Sequence, residues 1–254
     1  MIQIRRHVII PDFMSVRVMA PQAAVDWWLS GGINAANAIV VYQPKGAASY
    51  AASLVNLANP GTYDAYAGSA PTWAAGTGWT FNGSTQYLYA HSSGFSDLVS
   101  NGAYTFCARF ACDDDVSVRQ AILGDGAADG SNNSVGEELG GYLQTAAHLT
   151  TVQRQSAVVS DYLDSGESAV STVLVNVGVT WLGVNPWTRN IYTDGVFRAT
   201  DAPTAMMNGT QLAIGRAGQY NGLYFTGRVI ALAIYNTAIS GAQVTAVHTA
   251  MAAL

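Results

Sequence analysis

Apolar positions along the chain fall in short runs separated by glycine-marked polar breaks, the texture of strands and tight turns rather than of long helices. In YTFCARFAC at 104–112, Tyr104, Phe106, Ala108 and Phe110 alternate with other side chains on the two-residue period of a strand. Residues 229–236, VIALAIYN, follow a glycine-rich polar stretch that begins at Gly215 and read as a buried strand that closes the core. Residues 38–42 read as another strand. Asn-Gly or Asp-Gly steps begin at Asn82, Asn101, Asp125, Asp129, Asp194, Asn208 and Asn221, and such pairs mark tight turns. The clearest hairpin is RNIYT at 189–193, then Asp194-Gly195, then VFRAT at 196–200.

Two stretches carry helical spacing instead. Residues 47–57 place Tyr50, Leu54 and Leu57 on one face, and Asn59-Pro60-Gly61 stops them. Near the end, Ser240 with Gln243 three residues on forms a capping box for a helix over 241–252, with Val244, Val247, His248 and Met251 as its inward stripe. Residues 23–29, AAVDWWL, fit one or two helical turns or a short strand. On a strand, adjacent Trp27 and Trp28 cannot both face one core, so one of them is expected to anchor the preceding segment to the domain or to a partner. The pattern predicts an all-β antiparallel sandwich over 36–254, with helices near 47–57 and 241–252, preceded by an arm over 1–35 that docks or oligomerises.

Composition narrows the setting. A chain of 254 residues can form one domain. Charged residues make up 11% of it, with Lys45 the one lysine, against about 25% in an ordinary soluble domain. A surface so poor in charge favours association. The net charge of −5 argues against general nucleic-acid binding, and no apolar run reaches the roughly 18 residues of a membrane span. Arg5, Arg6 and Arg17, with Asp12 the one acid among the first twenty residues, make the arm locally basic, which fits a docking segment or a solvated tail. Its apolar stretch before Pro11 is too short for a secretory signal. Cys107 and Cys112 lie an odd number of residues apart, so on a strand they face opposite sides and should not bridge, which suits a reducing compartment.

Several phrases resemble the laminin-G-like, concanavalin A-like jelly-roll domains. PTW at 71–73 and GWTFNGSTQYL at 78–88 resemble the family's opening, which runs to a phrase of the type F-N-G-S-x-x-Y; 104–110 resembles its next core strand. IYTDG at 191–195 is similar to its Y-x-D-G hairpin, and 212–240 to its ending of the type IG…IYNxALS. The resemblance covers roughly residues 38–252 and implies two face-to-face antiparallel sheets of about six or seven strands each. A second likeness, in WWLSGGI at 27–33 and in YQPKGAASYAASLVNLANPGTYDA at 42–65, is to jelly-roll proteins of tailed bacteriophages and prophages. It implies a non-enzymatic virion protein, such as a capsid decoration, head fibre or tail component. Such a protein assembles in the host cytoplasm with other virion proteins and with itself. The alternative is a carbohydrate-binding module that recognises a host-surface glycan.

The chemistry this resemblance implies can be weighed residue by residue. Glucanases on the fold use two carboxylates spaced E-x-D-x-x-E, yet glutamate occurs only at Glu137, Glu138 and Glu167, outside that pattern. Calcium is a candidate cofactor, with Asp113, Asp115, Asp125 and Asp129 the oxygen ligands in an acid-rich stretch; a solvated acidic loop is the plainer reading. A sugar platform would draw on Trp181, Trp187, Tyr220, Tyr224, Arg216 and Asn221, unless those aromatics fill the core. Relatives commonly carry charged residues where this chain has Ala231 and Ala233, so the second face of that strand is expected to contact a partner, with Glu at either position weakening assembly but not the fold.

Overall fold

The computed structural model describes residues 26–90, 103–112, 120–126, 136–143, 147–154, 160–168, 175–182, 187–202, 211–216 and 223–254. In chain order the strands are β1 (Ala38–Tyr42), β2 (Tyr66–Ser69), β3 (Thr72–Ala74), β4 (Gly78–Asn82), β5 (Tyr87–Tyr89), β6 (Tyr104–Cys112) and β7 (Leu123–Gly126). There follow β8 (Gly136–Leu143), β9 (Ala147–Arg154), β10 (Ser160–Ser168), β11 (Val175–Leu182), β12 (Thr188–Thr193), β13 (Val196–Asp201), β14 (Gln211–Ile214) and β15 (Thr226–Tyr235). One turn of helix, α1 (Tyr50–Ser53), and a longer helix, α2 (Gly241–Ala252), complete the set.

The strands form two antiparallel sheets. The first has eight strands, ordered β13-β12-β11-β6-β15-β4-β3 with β1 also on β15; the second has seven, ordered β10-β9-β8-β7-β14-β5-β2. The ten-residue β15 is the spine of the first sheet. One of its edges pairs with β6 along its length, and the other is shared, β4 taking Thr226 to Val229 and β1 taking Leu232 to Tyr235. The register slips at Ile230, a bulge that separates the two partners.

Beyond the slip, alternation along β15 sorts its side chains. Leu232 and Ile234 enter the core between the sheets, with Trp79, Phe81, Phe106 and Phe110 from the first sheet and Leu88, Leu212 and Ile214 from the second. Ala231, Ala233 and Tyr235 face the other way and are fully buried too. Their cover is the chain's own: Val244, Val247 and Met251 of α2, with Trp27, Trp28 and Ile33. This corrects the expectation that Ala231 and Ala233 meet a partner. The small side chains are there because a helix lies on them. Gly178 of β11 has the same role, since a Cβ at that position would come within 3.0 Å of Val244 and His248.

Both tryptophans are buried because residues 27–29 form a 3₁₀ turn, which frees them from the strand alternation that would have split them. Their rings pack edge to face at 5.6 Å, Trp27 Nε1 donates to Gln43 Oε1 at 2.9 Å, and the Tyr235 hydroxyl donates to the Trp28 carbonyl at 2.8 Å. From residue 26 onward the expected arm is thus packed on the sandwich, whereas Arg5, Arg6 and Arg17 lie outside the described residues.

The helix expected over 47–57 is one turn long. The chain leaves it because Asn56, wholly buried, uses its amide as a surrogate strand neighbour. Its Oδ1 accepts from the Val41 and Ala58 amides, and its Nδ2 donates to the Ile39 and Thr62 carbonyls. Of the expected tight turns, the steps at Asn101, Asp129, Asn208 and Asn221 lie outside the described residues, and Asp125-Gly126 is part of β7. Asp194 (φ 47°) and Gly195 (φ 82°) turn the β12–β13 hairpin, and the α2 capping box is complete. Cys107 lies under the helix and Cys112 in the core between the sheets, both unbridged.

Candidate functional site

The outward face of the second sheet carries a cluster of aromatic side chains on β2, β5 and the end of β14. Strand β5 reads Tyr-Leu-Tyr: Leu88 is fully buried between the sheets, so Tyr87 and Tyr89 stand on the opposite side. Tyr66 of β2 is the cross-strand partner of Tyr89, and their rings sit 5.4 Å apart. Tyr87 meets Tyr89 edge to face at 5.1 Å and Tyr224 at 6.3 Å. Tyr66 is 42% exposed, a large fraction for a tyrosine in a packed cluster. Tyr87, Tyr89 and Tyr224 are half-buried.

Arg216 joins this group through the backbone. Gly215, at φ +83°, turns the chain out of β14 at a point where a Cβ would strike the Phe81 ring at 2.4 Å, and Arg216 then pairs with Tyr224 in an isolated antiparallel bridge. The guanidinium lies 4.0 Å from the Tyr87 ring centroid and 5.6 Å from that of Tyr89, and its Nη2 donates to the Tyr89 hydroxyl at 3.0 Å. Stacking on a ring face fixes the plane of the cation. Beneath Tyr87 the backbone is bare, for a Cβ at Gly68 would lie 2.0 Å from that ring.

Burial first, then hydrogen bonding to Tyr87, raises the Tyr89 phenol against the lowering pull of Arg216. Burial, then Tyr87, raises Tyr66. Both therefore remain neutral hydroxyls at neutral pH, able to donate and accept. The cluster offers ring faces for C–H surfaces, phenol groups for hydroxyls and one oriented cation.

Among the described residues expected to form a sugar platform, the structure brings together Arg216 and Tyr224. Trp187 stands just before β12 and packs against the core, and Trp181 is on β11 of the first sheet. Tyr220 and Asn221 lie outside the described residues. The pattern had a signal for what it missed: Tyr87-Leu88-Tyr89 is a two-residue alternation, and placing Leu88 inward puts both tyrosines outward. Of the calcium candidates, Asp125 is on β7 and Asp113, Asp115 and Asp129 lie outside the described residues. Among the described residues no three His, Cys, Asp or Glu side chains converge. His248 is a buried helix-face histidine whose Nδ1 accepts from the Gly195 amide at 2.7 Å.

Sheet order, the core between the sheets and the phrases of the sequence agree on one class of protein. The chain belongs to the concanavalin A-like lectin/glucanases superfamily, a family model of which matches residues 82–245. No curated protein matches it in sequence. Among solved structures it is similar to domain 4 of AbnA, an extracellular arabinanase of Geobacillus stearothermophilus, solved in complex with arabinotriose. The TM-score is 0.58 at 13% identity, over 83% of this chain and 98% of that one. It is also similar to HCR/D-Sa-GBL1/C, with a TM-score of 0.64 at 9% identity over 85% and 52% of the two chains. To the NanB sialidase of Streptococcus pneumoniae the TM-score is 0.53 at 14% identity, over 67% of this chain and 27% of the sialidase. At such identities the likeness is one of fold.

Proposed function

We propose that this chain is a non-enzymatic carbohydrate-binding domain that uses the outward face of its second sheet. The observation that carries this reading is the cluster of Tyr66, Tyr87, Tyr89, Tyr224 and Arg216, displayed on a lectin-type sandwich. The exposed ring of Tyr66 supplies an apolar surface, and the flanking hydroxyls and guanidinium supply polar contacts that orient a sugar. The non-enzymatic reading rests on the sequence: three glutamates, none in the carboxylate spacing that glycoside hydrolysis requires. Retention of the purified chain on immobilised polysaccharides, compared with the Tyr66→Ala and Tyr87→Ala variants, tests the site. Retention should weaken in both; retention unchanged in both removes this face as the site, and no retention of the unaltered chain removes the function.

The setting that the phrases at 27–33 and 42–65 favour is the virion of a tailed bacteriophage, where the domain acts as a capsid decoration, head fibre or tail-associated component, self-associated and bound to other virion proteins. A chain with 11% charged residues suits a protein whose surface is covered by neighbours. Fractionation of particles tests it. Many copies on the head favour decoration, a few at the tail with antibody-blocked adsorption favour receptor recognition, and absence from particles ends the virion reading.

A further inference from the structure

We infer that His248 and Gly195 form an acid-sensitive latch that holds α2 on the first sheet, so that a proton taken up by the imidazole loosens the helix and bares the bed of Cys107, Ala231 and Ala233. The β12–β13 hairpin meets the helix at its turn, where side chains of α2 take both polar backbone groups of Gly195. The Gly195 amide donates to His248 Nδ1 at 2.7 Å, and the hydroxyl of Thr245 donates to the Gly195 carbonyl at 2.7 Å. Only a residue without a side chain fits this contact, since Gly195 is at φ +82° and a Cβ there would lie 3.2 Å from Thr245.

A backbone amide can only donate, so Nδ1 presents a lone pair to it and the ring in the closed latch is neutral. An imidazolium donates from both nitrogens. It would set one N–H against another and bury a charge in a side chain that is 2% exposed and pressed on β11, where a Cβ at Gly178 would lie 3.0 Å from Nε2. The closed form therefore excludes the proton, whereas an open form, with the ring in water, accepts it near the ordinary histidine value of about 6.5. Above that value the latch has its full strength; below it the open fraction grows by up to about tenfold for each pH unit. The charges around the latch leave this sign in place. Helix α2 itself carries no acid and no base besides His248, and it packs against β6, β11 and the 3₁₀ turn. From the hairpin, the Asp194 carboxylate accepts through Oδ1 from the Asn176 N and Nδ2 at 2.9 and 2.8 Å, and Arg109 of β6 donates to Asn176 Oδ1 at 3.2 Å, so this acid and this base meet at Asn176. Burial raises the Cys107 thiol and the Tyr192 and Tyr235 phenols, and all three stay protonated and uncharged through this range. Asp26, ahead of the 3₁₀ turn, is exposed to solvent.

The two cysteines report the opening. Cys107 lies under α2 and Cys112 between the sheets, so local release of the helix exposes the first alone, whereas global unfolding exposes both. The purified full chain is labelled with dithiodipyridine, a thiol reagent that works in acid, with rates normalised to free cysteine and read at each residue by mass spectrometry. Labelling of Cys107 should accelerate about tenfold from about pH 7.5 to about pH 5.5, while that of Cys112 holds its rate. His248→Gln, whose amide oxygen can accept from Gly195 but does not titrate, should flatten the Cys107 profile. Thr245→Ala, which removes the other half of the latch, should raise Cys107 labelling at every pH and leave the slope in place. A flat Cys107 profile in the unaltered chain, parallel acceleration at both cysteines, or a slope that survives in His248→Gln overturns the inference. Should His248→Gln fail to fold, hydrogen exchange of the unaltered chain decides. Corrected for intrinsic pH dependence, the α2 amides should exchange faster in acid relative to those of β6, and an unchanged ratio overturns the latch.

Discussion

The two sheets of this sandwich treat their outward faces in opposite ways. On the first, Cys107, Ala231 and Ala233 line a shallow bed, and α2 with Trp27 and Trp28 lies down in it until nothing at the centre is exposed. On the second, Tyr66, Tyr87 and Tyr89 rise from β2 and β5, and Tyr66 keeps 42% of its surface in contact with solvent. Residue size decides the difference. Small side chains let a helix approach closely enough to exclude water, whereas a row of tyrosines fills that space and offers ring faces and hydroxyls instead. One face is therefore spent on stability, and the other is available for recognition.

The sharpest way to break this contrast is to put a charge under the helix. Ala233→Glu would bury a carboxylate against Cys107, Val244 and Val247 with no cation among those neighbours, at a cost of about 4 kcal/mol or more, much of a typical domain's stability. Thermal melting of the isolated chain should show a large fall or no cooperative transition; a wild-type melting temperature would mean that the face is not sealed by α2. Met251→Ala, which hollows out the same seam at the end of the helix, should cost about 2 kcal/mol in denaturant titration, and a loss near zero would show that the helix end is not packed there.

Alkaline titration gives a smaller effect that reports on the same seal. Burial pushes the Cys107 thiol and the Tyr235 phenol well above their ordinary values of 9.0 and 10.0. The folded chain keeps those protons while the unfolded chain releases them, so stability is fully present below pH 9 and declines as pH rises beyond it. The slope approaches about 1.4 kcal/mol per pH unit for each group ionised in the unfolded state. Cys107→Ala should delay the onset from near 9 to near 10, as read by urea midpoints at stepped pH. An onset unmoved by the substitution would assign it to other groups.

The reason one face was misread and the other only half read lies in what a two-residue period contains. It states which side of a strand a residue faces, and it placed Cys107 and Cys112 on opposite sides and the β12–β13 hairpin on Asp194-Gly195. It does not state what lies on that side. The apolar second face of β15 was visible, but its cover comes from residues 27–33, far away in sequence, together with α2, which follows the strand, and the comparison with charged residues in relatives assigned that face to a partner. The shortened helix after Ser49 has a similar cause, since the bonds of Asn56 to Val41 and Ile39 on β1 are tertiary. At the tyrosine face, Arg216 and Tyr224 were found within one loop. Tyr66 and Tyr87 were not, because they reach that loop only through the order of β14, β5 and β2 in the sheet.

The mildest substitution separates recognition from stability. Gly68 on β2 has no Cβ, and the Tyr87 ring occupies the space where one would be, so Gly68→Ala places a methyl 2.0 Å from the ring atoms. Those atoms are at the far end of a side chain with two rotatable bonds, and the ring can swing outward. Replacing a strand glycine gains about 0.5–1 kcal/mol in backbone entropy, and the displaced ring loses a comparable amount of packing, so the melting temperature should hardly move. Binding should suffer, because the guanidinium of Arg216 loses the surface on which it is stacked. The expected outcome is a variant with wild-type stability and an affinity for its best polysaccharide reduced about tenfold. Unchanged affinity would show that the stacked geometry of Tyr87 and Arg216 is not what the ligand reads, and a large loss of stability would show that the second face is as tightly built as the first.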